Sequence, residues 1–408
     1  MKEEIESSPK LERSGAQSEV AVSAGTVAYP KVLSRLTWML AATVFPLIWV
    51  GGLVTTTDAG MAVPDWPGTY GYNMFAYPVA TWLFGPWDLF IEHGHRLLGS
   101  LAGIWCIGLV VFACVKSTPR WLLGMTIAAL VLVIAQGTLG GVRVLRADRE
   151  IAKIHGCVGP VFFALVIALM VMTSQWWRQV GQTGFWMKSQ QDRGKQAGSG
   201  LRWNQVAMFG RLRRTRRLGV AVTFMAYVQL VIGANLRHIS EAAPVSQYRI
   251  LIWFHVLLAV CVGVAIMVLA VQRIGEVKGL TKARIFLVGL IVAQLTLGFG
   301  TWVVKFGFPD WFAGYDFANR FLIREKDYLQ VQVVTAHVAI GSLILAVSTF
   351  VTTRFWRAEH SVRLRLSEGV GRVKSLEVEV RLDGKQYQET REQQTGALKS
   401  PQVELTAS

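Results

Sequence analysis

Long apolar segments alternate with short polar ones along most of this chain. At about 20 residues, these apolar runs are long enough to cross a bilayer as α-helices. Eight such runs are present, centred near Phe45, Ile107, Val131, Leu165, Met225, Ala259, Ile291 and Leu343. The pattern predicts an all-α, polytopic membrane protein with eight transmembrane helices, and an even number of crossings puts both termini on one side.

The composition agrees, since 52% of the 408 residues are hydrophobic and only 17% are charged. The basic residues that give the net charge of +16 are distributed unevenly. Segment 174–217, which includes "RLRRTRR", has ten Lys and Arg residues, whereas segment 58–92 has none. By the positive-inside rule, segment 174–217 and both tails are cytoplasmic. Three short outer segments, such as "RVLRADREIAK", depart from this bias. We interpret the charge as a topology signal with anionic lipid as the partner, not as nucleic-acid binding.

The chain also resembles itself, which predicts two pseudo-symmetric four-helix bundles. A Gln and a Gly recur four residues apart in the third, fifth and seventh apolar runs, and therefore share a helix face. These pairs fit either ordinary close packing or a functional role.

The predicted divisions are an N-terminal tail (1–35), a first half (36–175), a basic linker (176–217), a second half (218–353) and a C-terminal tail (354–408) that we expect to be poorly ordered.

Each even-numbered predicted helix carries a histidine near its start, so the topology puts all four toward the outer face. The histidines are His95, His155, His255 and His337, and the residues four positions later are Gly99, Gly159, Ala259 and Gly341. A small residue one turn from each imidazole would leave space for a flat ligand. A single membrane histidine is often a helix-packing residue, but four in equivalent places favour metal ligation.

The surroundings of these histidines indicate which metal group they would hold. No carboxylate or thiolate cluster accompanies them, which argues against a zinc or di-iron carboxylate site. Paired imidazoles in an apolar bundle suit haem iron. The sequence therefore predicts two haem sites, with His95 facing His155 and His255 facing His337.

Only the first half carries further ionisable residues at this place, in the segment "EHGHR". Glu92 lies three residues before His95, on the same helix face, where it could contact the ligand or carry protons. Arg96 could pair with a haem propionate. The corresponding segment before His255 is "ILIWF", so we expect one reactive site and one plain bis-histidine site. We expect His93 to be solvated and assign no role to His238.

Residues 36–350 resemble the haem A synthase family. The resemblance rests on "EHGHR", on the two halves with four even-helix histidines, and on the loop "TTTDAGMAVPDWPGTYG". It implies a membrane oxidoreductase that converts a methyl group of haem O to the formyl group of haem A. His95 and His155 would flank the substrate haem O, His255 and His337 would ligate a haem b cofactor, and Glu92 would be essential for the oxidation.

The resemblance also implies partners, a location and one departure. The partners would be haem O and haem A, an electron donor that the sequence does not identify, haem O synthase and assembly factors of haem-copper oxidases. The location would be a bacterial-type cytoplasmic membrane. Many family members have a cysteine on each side of Pro-Asp-Trp-Pro in the first outer loop, but Val63 and Thr69 occupy those positions here. A disulfide in this loop is therefore excluded.

Two other functions use the same four histidines. A di-haem cytochrome b could pass electrons from a quinol without converting any haem, and a haem transporter could hold its cargo in transit. Neither function requires Glu92 beside one ligand or a difference between the halves. A prenyltransferase is disfavoured, because the helices lack the paired aspartate motifs that would hold magnesium and diphosphate.

Overall fold

A computed structural model describes residues 31–116, 118–182, 198–239, 242–272 and 279–396. Within these ranges the chain forms α-helices, short 3-10 helices and connecting turns, and no named strand. The eight longest helices, numbered here in chain order, are α1 (Lys31–Thr56), α2 (Trp87–Val115), α3 (Arg120–Arg146), α4 (Arg149–Thr173), α5 (Gly198–Arg237), α6 (Val245–Val271), α7 (Leu280–Phe306) and α8 (Tyr328–Gly396). Shorter α-helices occupy Val79–Leu83, Gln175–Gln182 and Asp316–Asn319.

Each of the eight long helices contains a stretch that is long and apolar enough to cross a membrane. Each also contains one of the eight centres expected from the sequence. Large apolar side chains such as Ile104, Val131 and Trp253 are exposed on their outer surfaces, as expected where lipid replaces water as the solvent. The prediction of an all-α, polytopic membrane protein is confirmed.

Local sequence signals fix several helix ends. Pro86, Pro119 and Pro244 directly precede α2, α3 and α6. Asp148 caps α4, because its side chain accepts hydrogen bonds from the N–H groups of Glu150 and Ile151. Gly307 ends α7 with a φ of 80°, a left-handed conformation that suits glycine. The Asp148 cap leaves only two residues between the end of α3 and the start of α4.

The helices pack as two rings of four. In the first ring α1 contacts α2 and α4, and α3 contacts the same two helices; α5 to α8 repeat this arrangement in the second ring. The rings meet where α8 packs against α1 and α4. Separate groups of buried side chains fill the two rings, with Leu40 and Leu109 in the first, and Ile266 and Phe355 in the second.

Two segments expected outside the bundles are continuous with spanning helices. The basic sequence at 211–217 belongs to α5, and residues 354–396, which we expected to be poorly ordered, continue α8. Helix propagation adds a hydrogen bond for each residue fixed, so a helix already formed in the membrane extends readily. An ion pair between Arg216 and Glu359 joins the two extensions. Residues 1–30, 183–197 and 397–408, from both tails and the linker, lie outside the described residues.

The orientation in the membrane can be tested by cysteine labelling. Tyr72 lies in the predicted outer loop and Lys282 at the opposite end of the bundle, and both are exposed. In a chain whose four native cysteines are replaced by alanine, we expect a membrane-impermeant maleimide to label Tyr72→Cys in spheroplasts. It should label Lys282→Cys only after lysis. The reverse pattern would put the histidine ends of the even-numbered helices at the cytoplasmic face.

Candidate functional site

Two pairs of histidines face each other, one pair in each ring. The ring centroids of His95 on α2 and His155 on α4 are 6.3 Å apart, with the rings inclined at 81°. Those of His255 on α6 and His337 on α8 are also 6.3 Å apart, inclined at 64°. The structure therefore brings together the residues that the sequence analysis paired, at equivalent places in the two halves.

Each imidazole lies against a glycine of the preceding helix. A Cβ atom added at Gly51 would lie 2.8 Å from Cε1 of His95. For the other three pairs the corresponding distances are 3.3 Å (Gly140 and His155), 3.2 Å (Gly233 and His255) and 3.2 Å (Gly298 and His337). Real Cβ atoms rarely or never come this close to a neighbour. A side chain at Gly51 would therefore displace the imidazole beside it, and the other three glycines leave their imidazoles in tight contact with the facing helix.

The repeated glutamines hold the backbone of the histidine helices. The side-chain N–H of Gln136 donates to the carbonyl oxygen of His155 at 3.2 Å. That of Gln229 donates to the carbonyl oxygen of His255 at 2.9 Å. In α1 the equivalent position, four residues before Gly51, is Leu47. The first histidine, His95, thus has the glycine contact without a glutamine beside it.

The small residues that follow the histidines differ from expectation. Of the three glycines among them, Gly99, one turn after His95, has nothing within 4 Å of its Cβ position. The amide nitrogen of Gln136 lies 3.2 Å from the Cβ position of Gly159, and that of Gln294 lies 3.2 Å from the Cβ position of Gly341. The prediction of a gap for a flat ligand at these two glycines was wrong, because side chains from the preceding helices occupy the space.

The hydrogen bond of one imidazole, that of His155, fits metal ligation, whereas Nδ1 of His255 lies 3.2 Å from the side-chain nitrogen of Gln229. Nδ1 of His155 lies 3.1 Å from the carbonyl oxygen of Gln136. A ligating histidine usually donates one ring N–H to a carbonyl, which leaves the lone pair of the other nitrogen for the metal. His95 and His337 approach the backbone of Leu47 and Gln294 in the equivalent places, although their buried Nδ1 atoms complete no hydrogen bond.

The separation of each pair also suits a shared metal ion. An imidazole–metal–imidazole arrangement with bonds of about 2 Å would separate the ring centroids by about 6 Å. No group of three or more His, Cys, Asp or Glu side chains suited to a metal occurs among the described residues. Each pair thus provides two ligands, which is the number that a metal already held in a macrocycle needs from the protein.

Glu92 lies near the first pair and is buried, with a relative exposure of 2%. One carboxylate oxygen accepts a hydrogen bond from Arg96 at 2.9 Å and the other accepts one from the backbone N–H of Ala62 at 3.1 Å. Glu92 makes no hydrogen bond with His95 among the described contacts. It joins α2 to the first outer loop, which covers this end of the bundle.

Arg96 organises that loop, which comprises residues 57–86. Its Nη1 donates to the carbonyl oxygens of Asp65 at 2.7 Å and Gly68 at 3.0 Å. Its Nη2 donates to the carbonyl oxygen of Val63 at 2.7 Å and to Glu92. These four acceptors use all four N–H groups on the two terminal nitrogens. The propionate contact predicted for Arg96 therefore has no free terminal N–H in this arrangement.

Further contacts hold the loop closed near Val63 and Thr69, the two positions at which many members of the family that the sequence resembles have cysteines. Val63 and Thr69 are fully buried. Asp65 accepts hydrogen bonds from the N–H groups of Tyr70 at 2.8 Å and Gly71 at 2.9 Å. Burial alone would raise the pKa of Asp65, but these two N–H groups outweigh it and hold that pKa below its ordinary value. Hydrogen bonds thus replace a covalent link.

The two remaining outer histidines differ in their surroundings. His93, which we expected to be solvated, is buried: its Nδ1 lies 3.2 Å from Oγ1 of Thr69, and its ring packs against Tyr77 and Trp82. The expectation was wrong because the loop directly before α2 folds back over His93, a contact that the local sequence pattern does not show. His238 is half-buried; burial, followed by the charges of Arg237 and Lys153, lowers its pKa to about 4.

No comparable arrangement precedes the second pair. Residues 250–254, directly before His255, are all apolar, and Trp253 and Phe254 are exposed on α6. The two sites therefore share their imidazoles and glycines but differ in their ionisable neighbours, as the sequence predicted.

Comparisons with protein-family models and with curated proteins found no match to this chain. The residues and geometry of the two histidine pairs are therefore the basis for assigning a function.

The glycine contact can be tested by adding a single methyl group. Gly51→Ala should lower the midpoint of thermal unfolding in detergent, because the new Cβ displaces His95 at a cost of about 1–3 kcal/mol. Gly103→Ala is the control, since nothing lies within 4 Å of its Cβ position. Alanine there should stabilise α2 by up to about 1 kcal/mol. Equal midpoints for the two variants would contradict the contact.

The role of Arg96 can be tested by hydrogen exchange. Lysine keeps the charge but has only three N–H donors at one nitrogen, so Arg96→Lys should leave loop carbonyls unpaired. We expect a loss of about 1–3 kcal/mol and amide exchange at Tyr70 and Gly71 at least about tenfold faster. Arg149→Lys, at an exposed site on the same end of the bundle, should leave both rates unchanged. Unchanged amide exchange rates in Arg96→Lys would show that Arg96 does not hold the loop together.

Proposed function

We propose that this protein is a haem A synthase, which oxidises the methyl group of haem O to a formyl group. The observation that carries the proposal is the difference between two otherwise equivalent histidine pairs. Among the described residues, the first pair lies near a buried carboxylate, Glu92, which accepts a hydrogen bond from the loop at Ala62, whereas the residues directly before the second pair are apolar. A protein that only carried electrons would have no need for this difference.

His95 and His155 would hold the substrate, haem O, between α2 and α4. The open space at Gly99 supports this assignment, because it leaves room beside His95 that side chains fill at Gly159 and Gly341. The loop held by Arg96 would exclude water from the outer side of the site. Apolar outer surfaces on the helices would let the isoprenoid tail of haem O remain in lipid while the ring enters the bundle.

Glu92 would handle protons released during the reaction. Conversion of a methyl group and one water molecule to a formyl group in two successive oxidations releases four protons and four electrons. A proton acceptor near the site is therefore required, and the electrons would leave through the haem held by His255 and His337. Glu92 is the carboxylate that the structure puts beneath the loop, and Ala62 and Arg96 fix its two oxygens. Its rigid position would suit a group that acts repeatedly at one atom.

His255 and His337 would ligate haem b, which supplies one-electron transfer when bound. The apolar surroundings of this pair support such a role, because a site that only passes electrons needs no proton-handling group. The glycines and Gln229 would hold the two imidazoles in a fixed geometry, which limits rearrangement between redox states.

A di-haem electron carrier is the alternative, and it is favoured by the equal 6.3 Å separations of the two pairs. Haem extraction and mass analysis separate the two functions. The protein would be purified from a host that makes haem O but not haem A. Haem b together with haem A, or with its hydroxylated intermediate, is the expected result. Two equivalents of haem b alone would support the electron carrier and refute the synthase.

Glu92→Gln keeps the size of the side chain but cannot accept a proton. We expect haem A formation to fall by about 100-fold or more, within the range for a lost general base, while the absorption spectrum of bound haem is retained. Glu150→Gln, which changes an exposed carboxylate at the start of α4, should form haem A at the parent rate. Haem A formation at the parent rate in Glu92→Gln would contradict the proposal that Glu92 accepts protons.

A further inference from the structure

Arg143 is a cation of the first site to which sequence reasoning assigned no role. It lies in the last turn of α3, whose outer end the first loop covers. Its guanidinium faces the backbone of Gly60, where an added Cβ would meet Nη1 at 2.5 Å. Arg143 is half-buried, whereas Arg146, three residues later on the same helix, is exposed.

The charge of Arg143 acts on all the main groups of the first site. It interacts electrostatically with His95 and His155 and with Glu92. Among the described residues, however, its guanidinium donates no hydrogen bond and forms no ion pair within 4 Å. The nearby carboxylate, Glu92, is already bonded to Arg96 and Ala62.

A guanidinium that is partly removed from water normally has an anionic partner, because an unpaired charge is costly there. Two other buried guanidinium groups at this end of the bundle, those of Arg96 and Arg237, have hydrogen-bond acceptors within the chain. Arg96 binds three loop carbonyls and Glu92. Arg237 donates to the carbonyl oxygen of Gly52 at 2.9 Å. Arg143 is thus the guanidinium of the first site that is left to bind an anion from outside the chain.

We propose that Arg143 binds a carboxylate of the planar ligand held between His95 and His155. This inference rests on the proposed function, because it takes that ligand to be an iron porphyrin with carboxylate side chains. Guanidinium and carboxylate groups are both planar and form paired hydrogen bonds. The role resembles the one predicted for Arg96, whose terminal nitrogens are occupied.

The contact would also determine how the ligand is oriented. Two imidazoles on opposite sides of a flat ring hold its centre but leave it free to rotate about the axis that joins them. A carboxylate held by Arg143 would stop this rotation and keep the carboxylate edge at the loop end of the bundle. Arg143 is then a specificity-determining residue, because the rotation decides which ring substituent lies beside Glu92.

The test compares two macrocycles that differ only in charge. Iron protoporphyrin IX and its dimethyl ester would be titrated into the full-length chain carrying His337→Ala, so that only the first pair offers two imidazoles. We expect Arg143→Gln to weaken binding of the free acid by about 10- to 100-fold and to leave binding of the ester unchanged. Arg143→Lys should restore part of the affinity. Arg146→Gln, the matched control, should bind both macrocycles like its parent.

Each other outcome identifies what has failed. Equal losses for the acid and the ester would show that Arg143 only balances Glu92 or supports the fold, and would overturn the inference while leaving the proposed function intact. If the chain that carries His337→Ala but keeps Arg143 bound neither macrocycle, both this inference and the proposed function would be overturned. If His337→Ala does not fold by circular dichroism, the same titrations in the parent chain give the answer by difference, because the second pair is common to all variants.

Discussion

Close approach between an imidazole and a glycine is the constraint on which the rest of this structure depends. An imidazole that projects between two helices takes the space that a side chain on the facing helix would need. At all four places that facing residue is a glycine. The contact fixes the depth of each histidine and the distance between neighbouring helices. As a result the two rings of four helices hold their histidine pairs at the same separation.

The structure of the loop over the first pair depends on a second constraint, which is that buried polar groups need hydrogen-bond partners. Residues 57–86 have little regular structure, so many of their carbonyl groups lack helix partners. Arg96 supplies four donors from one side chain, and Asp65 accepts from two N–H groups. The network provides, without cysteines, a closed loop that joins α1 to α2. It also holds Glu92 rigidly, so the stability of the loop and the chemistry of the site rest on the same residues.

Charge at the histidine end of the bundle distinguishes the two halves. In a membrane protein, ionisable groups at this depth are costly and mark places where ligands, protons or electrons move. Glu92, Arg96 and Arg143 lie together near the first pair, while the second pair has apolar residues before it. The repeated scaffold therefore has ionisable groups beside one histidine pair and apolar residues directly before the other, and the proposed chemistry depends on this difference.

The sequence by itself determined the eight helices, the repeat and the pairing of the histidines, because apolar run length and residue spacing depend only on local order along the chain. It also marked Arg143, as part of an outer segment that breaks the positive-inside bias, without indicating why. Tertiary structure alone decided which glycine faces which imidazole, that Gln136 and Gln294 fill the space beside Gly159 and Gly341, and that Arg96 is occupied by loop carbonyls. These facts depend on atoms brought together from distant parts of the chain, and local spacing holds no information about such contacts.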